Sequence, residues 1–230
     1  AHTSIHTRRH KLELGKFPPD LLSRLLGKTP REDLRVVVGA KIGEDAAAIS
    51  FGDSLLIAKS DPVTFATERI GWYAVQVNAN DVACTGGTPK WFLATLLVPE
   101  SFSEHQAEDI FDQILLACDT LGVTLVGGHS EVTYGIDRPI VMGTMLGEVE
   151  PSRLIHTGGA QDGDSIVLTK GIAIEGTALL ALENEDALRA SGVEQNVIDK
   201  ASTFLDSPGI SVLKDARIAC ASADVHSMHD

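Results

Sequence analysis

The chain has 230 residues, of which 43% are hydrophobic and 22% are charged. This composition is typical of a folded protein with a sizeable buried core and argues against intrinsic disorder. The 32 acidic and 19 basic side chains give a formal net charge of -13, which would repel a nucleic-acid backbone or an anionic lipid surface. No apolar run approaches the roughly 18 residues that a membrane span needs. We therefore expect no nucleic-acid partner and no membrane partner.

The chain length predicts the number of domains, and the cysteine content indicates the cellular compartment. At roughly 150 residues per domain, the length predicts one domain and part of a second. The cysteines are an odd number without close pairing, which disfavours a secreted disulfide scaffold and favours the cytoplasm. The polar residues 1–16 predict a flexible tail. The turn-rich stretch 151–164 marks the best domain boundary, so the predicted domains are 17–150 and 151–230.

The first predicted domain mixes helices with hairpin-connected strands. Its clearest signal is Gly52-Asp53 between the runs 46–51 and 55–60, which is typical of a two-residue hairpin turn. This indicates an α/β (α+β) domain with a mixed or antiparallel sheet and flanking helices, and not an alternating doubly wound sheet. The other predicted elements are a helix at 20–26, a strand at 34–38, a helix at 69–84, a strand at 91–98, a helix at 103–121 capped by Ser103, and strands at 123–126 and 140–149.

The second predicted domain starts after the boundary. It begins with a strand at 165–169 and continues with helices at 175–182, 193–205 and 210–220. One strand and three helices cannot complete a two-layer fold. We therefore expect residues 151–230 to be the first part of a truncated α/β domain.

Acidic residues lie near the ends of predicted strands and in the helix next to them. Glu44 and Asp45 precede the hairpin, Asp61 follows it, and Asp81 lies in the helix at 69–84 on a side that it shares with apolar residues. Carboxylates in such places are costly unless a cation compensates them, which suggests a hard metal ion held by oxygen ligands. Mg²⁺ with a polyphosphate is the natural candidate. The alternative is a solvated turn at Glu44 and Asp45, a capping role for Asp61 and an exposed Asp81.

Six segments occur in an order that is typical of one superfamily. They are Gly-Glu-Asp-Ala-Ala at 43–47, Lys-Ser-Asp-Pro at 59–62, Val-Asn-Ala-Asn-Asp-Val-Ala at 77–83, Gly-Gly-Thr-Pro at 86–89, Val-Gly-Gly-His-Ser-Glu at 126–131, and 163–170 followed by Gly-Thr-Ala at 176–178. Together they resemble the aminoimidazole ribonucleotide (AIR) synthase, or PurM-like, superfamily, which includes HypE, thiamine-monophosphate kinase and selenophosphate synthetase. The resemblance covers the chain from about Gly15 to Asp230 and is strongest to HypE and to AIR synthase-related proteins.

The resemblance implies a two-domain PurM-like fold whose first domain dimerises through its strands. ATP would lie in a cleft between the two domains, with Mg²⁺ held by Asp45, Asp61 and Asp81. Paired glycines would let the backbone approach the phosphates, and a lysine would either meet a phosphate or form a solvated strand end. The cofactor-binding residues implied by the resemblance are Gly43, Glu44, Lys59, Asn80, Gly127, Gly128, His129 and Glu131.

Two positions depart from the family pattern. His129 stands where the family has an acid after the paired glycines, and Glu131 follows two places on. An imidazole is a poor Mg²⁺ ligand. Either Glu131 substitutes for the acid, or His129 contacts a phosphate or the substrate, or the site is weakened, or His129 is simply hydrogen-bonded. HypE-type chemistry passes through a C-terminal cysteine, whereas this chain ends in residues 226–230, which we interpret as a strand end directed towards the nucleotide cleft.

The resemblance implies an ATP- and Mg²⁺-dependent enzyme of the ligase or dehydratase type, which phosphorylates an amide or carboxamide oxygen. An amide oxygen is a poor leaving group until it becomes a phosphate ester. The implied partners are a small-molecule or protein-bound amide, a second copy of the chain and a hydrogenase maturation protein. A kinase of the thiamine-monophosphate type and a non-catalytic nucleotide-binding or assembly module are the alternatives. No catalytic residue is assigned.

Overall fold

The computed structural model describes residues 12–28, 33–66 and 68–230. Of the predicted tail, residues 1–11 lie outside this part, and residues 12–16 are exposed and form neither helix nor strand. The described residues form a mixed α/β structure, which confirms the predicted fold class. A helix suited to crossing a membrane does not occur in these ranges.

Six strands form one mixed sheet in the described residues. They are β1 (Val36–Val38), β2 (Ala47–Phe51), β3 (Ser54–Val63), β4 (Thr88–Val98), β5 (Thr124–Val132) and β6 (Ile140–Val149). The order across the sheet is β1-β2-β3-β6-β4-β5. Only β4 and β5 are parallel; the other neighbouring pairs are antiparallel.

Seven α-helices accompany the sheet in the same part of the chain. They are α1 (Pro19–Leu26), α2 (Ile70–Cys84), α3 (Glu104–Leu121), α4 (Ile174–Glu183), α5 (Glu185–Ala190), α6 (Gln195–Ser202) and α7 (Leu213–Ser222). Short 3₁₀ turns lie at Pro151–Arg153 and Thr203–Leu205. Most helices agree with the predicted ones to within a few residues, but α5 was not predicted.

The predicted hairpin and the predicted helix cap are both confirmed. Phe51 pairs with Ser54 across the two-residue turn, in which Gly52 has a φ of 63°. The Ser103 hydroxyl accepts a hydrogen bond from the Gln106 backbone N–H, and the Gln106 side chain accepts one from the Ser103 backbone N–H. This reciprocal cap satisfies two backbone donors at the start of α3 that would otherwise lack partners.

Helices α2 and α3 cover one face of the sheet, and the main core lies between these layers. Leu55 and Ile57 of β3 and Phe92 of β4 are buried there. Burial of each such side chain stabilises the fold by about 1.5–3 kcal/mol. Gly143 of β6 allows α2 to come close, because a Cβ at this position would lie 2.4 Å from the Asn78 side chain.

The opposite face of the sheet has no helix layer over it in the described residues. Its apolar side chains alternate along the strands with those of the core. Met142 is exposed, and β5 at the sheet edge exposes most of its residues. The half-buried apolar residues of this open face include Leu56, Leu93, Leu97 and Leu146.

Residues 151–230 pack against α2 of the first unit. Tyr73 of α2 is buried in a cluster with Ala178 and Leu205. Arg69 donates two hydrogen bonds to the Asp206 carboxylate, at 2.8 and 2.9 Å. Apolar contacts and a bidentate ion pair therefore hold the second unit on the same helix that covers the sheet.

Two strand predictions need correction. The predicted strand at 165–169 is wrong, because this segment has no regular secondary structure and Ile166 is 100% exposed. A β-rich run becomes a strand only when a neighbouring strand takes up its hydrogen bonds, and no described strand follows residue 149. The strand predicted at 123–126 is too short, because its pairing with β4 continues to Val132.

Candidate functional site

Three predicted site residues meet where β3 passes under α2. Lys59 and Asp61 continue the row of alternate β3 residues that begins with Leu55 and Ile57, so they lie on the face towards the helix. The Lys59 Nζ lies 2.9 Å from the Asp81 Oδ2 of α2 and 3.3 Å from the Asp61 Oδ2. The Lys59 and Asp81 side chains are only 12% and 7% exposed. The alternative with an exposed Asp81 is therefore wrong.

Burial and charge together set the ionisation of this pair. Burial raises the pKa of Asp81 to about 7, against the hydrogen bond from Lys59, which lowers it. Burial also lowers the pKa of Lys59, but contacts with Asp81 and Asp61 outweigh this effect, so the pKa of Lys59 is raised. The ammonium therefore stays charged, whereas Asp81 changes its charge near neutral pH. A further cation beside Asp81 would favour the carboxylate form.

Asn78 fixes the backbone that carries Asp61, a role that the sequence pattern did not assign. The Asn78 side chain is completely buried in α2. Its Oδ1 accepts the Asp61 N–H at 2.9 Å, and its Nδ2 donates to the carbonyls of Asp61 at 3.2 Å and Ala74 at 2.8 Å. The sequence did contain a signal for this role, namely an amide side chain within an apolar helical run. Such a side chain, once buried, must find hydrogen-bond partners.

The last two residues approach the same carboxylates from the second unit. The His229 Nε2 lies 3.5 Å from the Asp45 Oδ2. Burial raises the pKa of Asp230, and the charge of Asp45 raises it further, against His229. Residues 226–230 are not the predicted strand end, but the segment does reach these carboxylates. We term the following set the Lys59 cluster: Asp45, Lys59, Asp61, Asp81 and Asp230.

The Lys59 cluster has the donor chemistry of a Mg²⁺ site, because Mg²⁺ prefers carboxylate oxygens. Within the described ranges, however, no three His, Cys, Asp or Glu side chains stand in an arrangement that could hold a metal ion. The cation between Asp61 and Asp81 is the Lys59 ammonium. The residues fit Mg²⁺ by their chemistry, and the assignment of three aspartates as its ligands stays a prediction.

Helix α2 and the turn before β2 contain three further predicted cofactor-binding residues, namely Asn80 in α2 and Gly43 and Glu44 in the turn. The Asn80 Nδ2 donates to the Ile210 carbonyl, and its Oδ1 accepts the Val212 N–H, both at 2.9 Å. Asn80 thereby joins α2 to the segment before α7. Gly43 has a φ of 87° in the turn before β2, a conformation that favours glycine, and Glu44 is half-buried beside it. The predicted turn is present, and a nucleotide contact there stays a prediction.

The predicted site residues of β5 lie apart from the Lys59 cluster. A row of paired residues crosses the sheet through Asp61, Gly143, Ala94 and Gly128. Asp61 and Gly128 are thus three strand spacings, or about 14 Å, apart. A single copy of the chain does not place the predicted β5 residues against the cluster. These residues are Gly127, Gly128, His129 and Glu131.

The β5 residues have clear structural roles of their own. A Cβ at Gly128 would lie 1.8 Å from the Ala94 carbonyl oxygen, so the pairing with β4 requires glycine there. The His129 Nε2 lies 2.9 Å from the Glu131 Oε2, and both side chains are exposed. This hydrogen bond lowers the pKa of Glu131. The hydrogen bond is compatible with each alternative for His129, and a contact of His129 or Glu131 with a phosphate, substrate or metal stays a prediction.

Comparison with known proteins relates the chain to a family and to several enzymes. Residues 43–149 match the family model described as AIR synthase related protein, N-terminal domain. A thiamine-monophosphate kinase of Aquifex aeolicus is 30% identical over 155 residues, which is 63% of this chain and 49% of that protein. A putative hydrogenase expression/formation protein of Methanocaldococcus jannaschii is 28% identical over 148 residues, 62% of this chain and 44% of that protein. The chain thus spans about half the length of the curated relatives it matches.

Solved structures agree on the fold. The AaThiL structure complexed with AMPPCP and TMP matches with a TM-score of 0.60 and 23% identity, over 86% of this chain and 60% of that chain. A likeness at this identity is one of fold, and it agrees with the mixed sheet and flanking helices described above. Residues 43–149 of this chain are therefore similar to the AIR synthase related N-terminal domains, and the chain shares its fold with AaThiL.

Proposed function

We propose that this chain binds ATP with Mg²⁺ at the Lys59 cluster and transfers a phosphoryl group to an oxygen atom of an acceptor. The observation that carries the proposal is the nearly buried pair of Lys59 and Asp81, with three further carboxylates nearby. Such an excess of carboxylates with little solvent favours the binding of a divalent cation. The kinase relative and the AMPPCP complex of AaThiL support ATP as the nucleotide.

The residues of the cluster would have different roles. Asp45, Asp61 and Asp81 would hold Mg²⁺, which when bound neutralises the negative charge of the phosphates. Lys59 would donate to a phosphate oxygen as a compact point charge. Asn78 already holds the Asp61 backbone in place, so the carboxylate is positioned before a ligand binds. Phosphoryl transfer depends on such positioning and on charge stabilisation more than on a covalent protein group.

The acceptor belongs to one of two chemical classes. In a HypE-type reaction, ATP would phosphorylate an amide or carboxamide oxygen, and a hydrogenase maturation protein would be the partner. In a kinase reaction, the acceptor would be a phosphate such as thiamine monophosphate, which the relative at 30% identity favours. The products distinguish the two classes. The kinase leaves a phosphorylated product and ADP, whereas amide activation ends in ADP and free phosphate.

A second copy of the chain is the proposed structural partner, paired through the open face of the sheet. The support is the row of half-buried leucines on that face, which includes Leu93 and Leu97. Burying them between two sheets would remove apolar surface from water. Light scattering should give the mass of a dimer for the wild type and of a monomer for Leu97→Glu. A monomeric wild type at high concentration would contradict this pairing.

Phosphorus NMR of ATP tests the proposed function. With Mg²⁺ present, the chain should broaden the β- and γ-phosphate resonances, and the matching acceptor should convert ATP to ADP. Asp61→Asn should abolish both effects. Asp53→Asn removes the same charge from the exposed hairpin turn and should abolish neither. Resonances that the wild-type chain leaves unchanged would contradict the proposal, and broadening without conversion would favour the non-catalytic module.

A further inference from the structure

A second concave region lies away from the Lys59 cluster. A cavity of about 430 Å³ opens between the turn from α2 to β4, the end of β6 and one side of α7. This volume falls in the range of about 300–1,000 Å³ that is common for small-molecule sites. The residues of α7 that line it follow helical spacing and therefore form one stripe. They are Leu213, Ala216, Arg217 and Cys220.

Three cationic residues without ion-pair partners line this cavity, namely Lys90, Arg153 and Arg217. In the described part of the chain, none of them pairs with a carboxylate. Among the other arginines of the described ranges, Arg24 also has no ion pair, whereas the four that have one are Arg35, Arg69, Arg138 and Arg189. Acidic residues outnumber basic ones by 32 to 19. Because only two carboxylates, Glu148 and Glu150, line the cavity beside the three cations, the lining has a net positive charge in a net negative chain and attracts an anion.

Packing holds Arg153 at the edge of the cavity. A Cβ at Gly86 would lie 2.6 Å from the Arg153 carbonyl oxygen, so the two backbones are in direct contact. Gly86 also has a φ of 77°, which favours glycine. Next to this contact, the Ile155 N–H donates to the Thr85 carbonyl at 3.0 Å. The backbone that carries Arg153 is thus fixed to the turn before a ligand binds.

The lining residues indicate which anion fits. Guanidinium groups bind phosphate or carboxylate in a bidentate manner, and a lysine adds a point charge. Glu148 and Glu150 also line the cavity and can accept hydrogen bonds from hydroxyl groups. We propose that the cavity binds a small hydroxylated phosphate ester, with its phosphate held by Arg153, Arg217 and Lys90.

This site is separate from the Lys59 cluster. Ser54 lines the cavity, and Lys59 lies five residues further along β3, which corresponds to about 17 Å. No residue of the cluster lines the cavity. The proposal therefore does not depend on ATP binding at the Lys59 cluster.

The test is an amide NMR titration of the full chain at low salt with glucose 6-phosphate as the probe. We expect saturable shifts of the Gly86 and Gly87 amides. The double variant Arg153→Gln/Arg217→Gln should raise the dissociation constant at least about tenfold, because charge-assisted hydrogen bonds are lost. Arg24→Gln removes an unpaired arginine from α1 and should bind like the wild type. Inorganic phosphate should bind more weakly, and glucose should not bind.

Several outcomes would overturn the proposal. They are the absence of saturable shifts in the wild type, an unchanged dissociation constant in the double variant, and an equal loss of affinity in Arg24→Gln. Binding of glucose as tight as that of its phosphate ester would also contradict it. If the double variant does not fold, Arg217→Gln alone gives the same comparison, because Arg217 is exposed on α7.

Discussion

The Lys59 ammonium lies 2.9 Å from the Asp81 carboxylate, in a place where both side chains are nearly buried. This pair joins β3 of the sheet to α2, and Asp61 shares the same ammonium at 3.3 Å. One positive charge therefore serves two carboxylates, and Asp230 adds a third charge that raises the pKa of Asp81. A bound divalent cation would supply the positive charge that the cluster lacks.

Lys59→Met should destabilise the fold by about 3–5 kcal/mol, because the loss of one partner leaves a buried carboxylate without compensation. Urea unfolding would measure the change. Lys214→Met, at an exposed position of α7, is the matched control and should change stability by less than about 0.5 kcal/mol. The double variant Lys59→Met/Asp81→Leu should be less destabilised than Lys59→Met alone. Equal losses in the two lysine variants would show that the pair does not stabilise the fold.

Asp81→Asn should change how stability depends on pH. The pKa of Asp81 is raised from its ordinary value of 3.8 to about 7 in the folded protein. Protonation of Asp81 therefore stabilises the folded protein. This stabilisation is complete below the ordinary pKa of 3.8 and is lost as the pH rises through about 7. The Tm of the variant minus that of the wild type should increase between about pH 5 and pH 8 in metal-free buffer. A difference that stays constant would contradict the raised pKa.

Asn78→Ala should destabilise the fold by about 1–3 kcal/mol, because it leaves the partly buried N–H of Asp61 without its acceptor. Thermal unfolding would measure the loss. The exposed Asn196 of α6 offers the same substitution without buried partners, and Asn196→Ala should be nearly neutral. A similar Tm for the two variants would mean that the Asn78 bonds do not support the strand.

Gly128→Ala should destabilise the fold by about 3 kcal/mol or more, because its Cβ would collide with the Ala94 carbonyl. Hydrogen exchange should show faster opening of β5. Gly176→Ala is the control, because Gly176 lies within α4 with open space around it. This change should be neutral or stabilise by about 0.5–1 kcal/mol. Slow exchange of β5 in Gly128→Ala would argue against the tight pairing.

The pKa of His226 reports how the end of the chain is held. A hydrogen bond with Asp164 at 2.9 Å raises this pKa above 6.5. The pKa of Asp164 is lowered, first by the hydrogen bond from the Gln161 N–H and then by the one with His226. The stabilisation of the folded protein by this contact is therefore complete when the pH is below the ordinary histidine pKa. It is lost as the pH rises through the raised pKa of His226. Proton NMR of Asp164→Asn should give a His226 pKa nearer to 6.5, whereas Asp162→Asn should leave it raised. Identical values in both variants would exclude the contact.

Local signals were sufficient for most helices and for the hairpin. Gly52 and Ser103 act within a few residues of their own positions, so their turn and cap could be predicted from the sequence. The strand at 165–169 failed because strand formation depends on a neighbour that a local pattern cannot supply. The end of β5 was missed because paired glycines resemble a loop until their contact with β4 is known.

The site was predictable in part. The placement of Asp81 among apolar residues correctly indicated burial. The pairing with Lys59, 22 positions earlier in the sequence, depends on how α2 crosses β3, and no local pattern contains that information. The approach of residues 226–230 to this region was predicted, but the effect of the Asp230 charge on Asp81 was not, for the same reason. The spacing of the acidic residues therefore predicted a cation site, and the fold shows that the Lys59 ammonium lies between Asp61 and Asp81.

Calorimetric titration of ATP into the chain, with and without Mg²⁺, tests the central claim most directly. The account predicts binding that requires Mg²⁺, is abolished in Asp45→Asn and Asp81→Asn, and is retained in Asp53→Asn. Binding of equal strength without the metal, or binding that survives both substitutions, would contradict the assignment of the nucleotide to the Lys59 cluster. A wild-type chain that binds no ATP would contradict it as well.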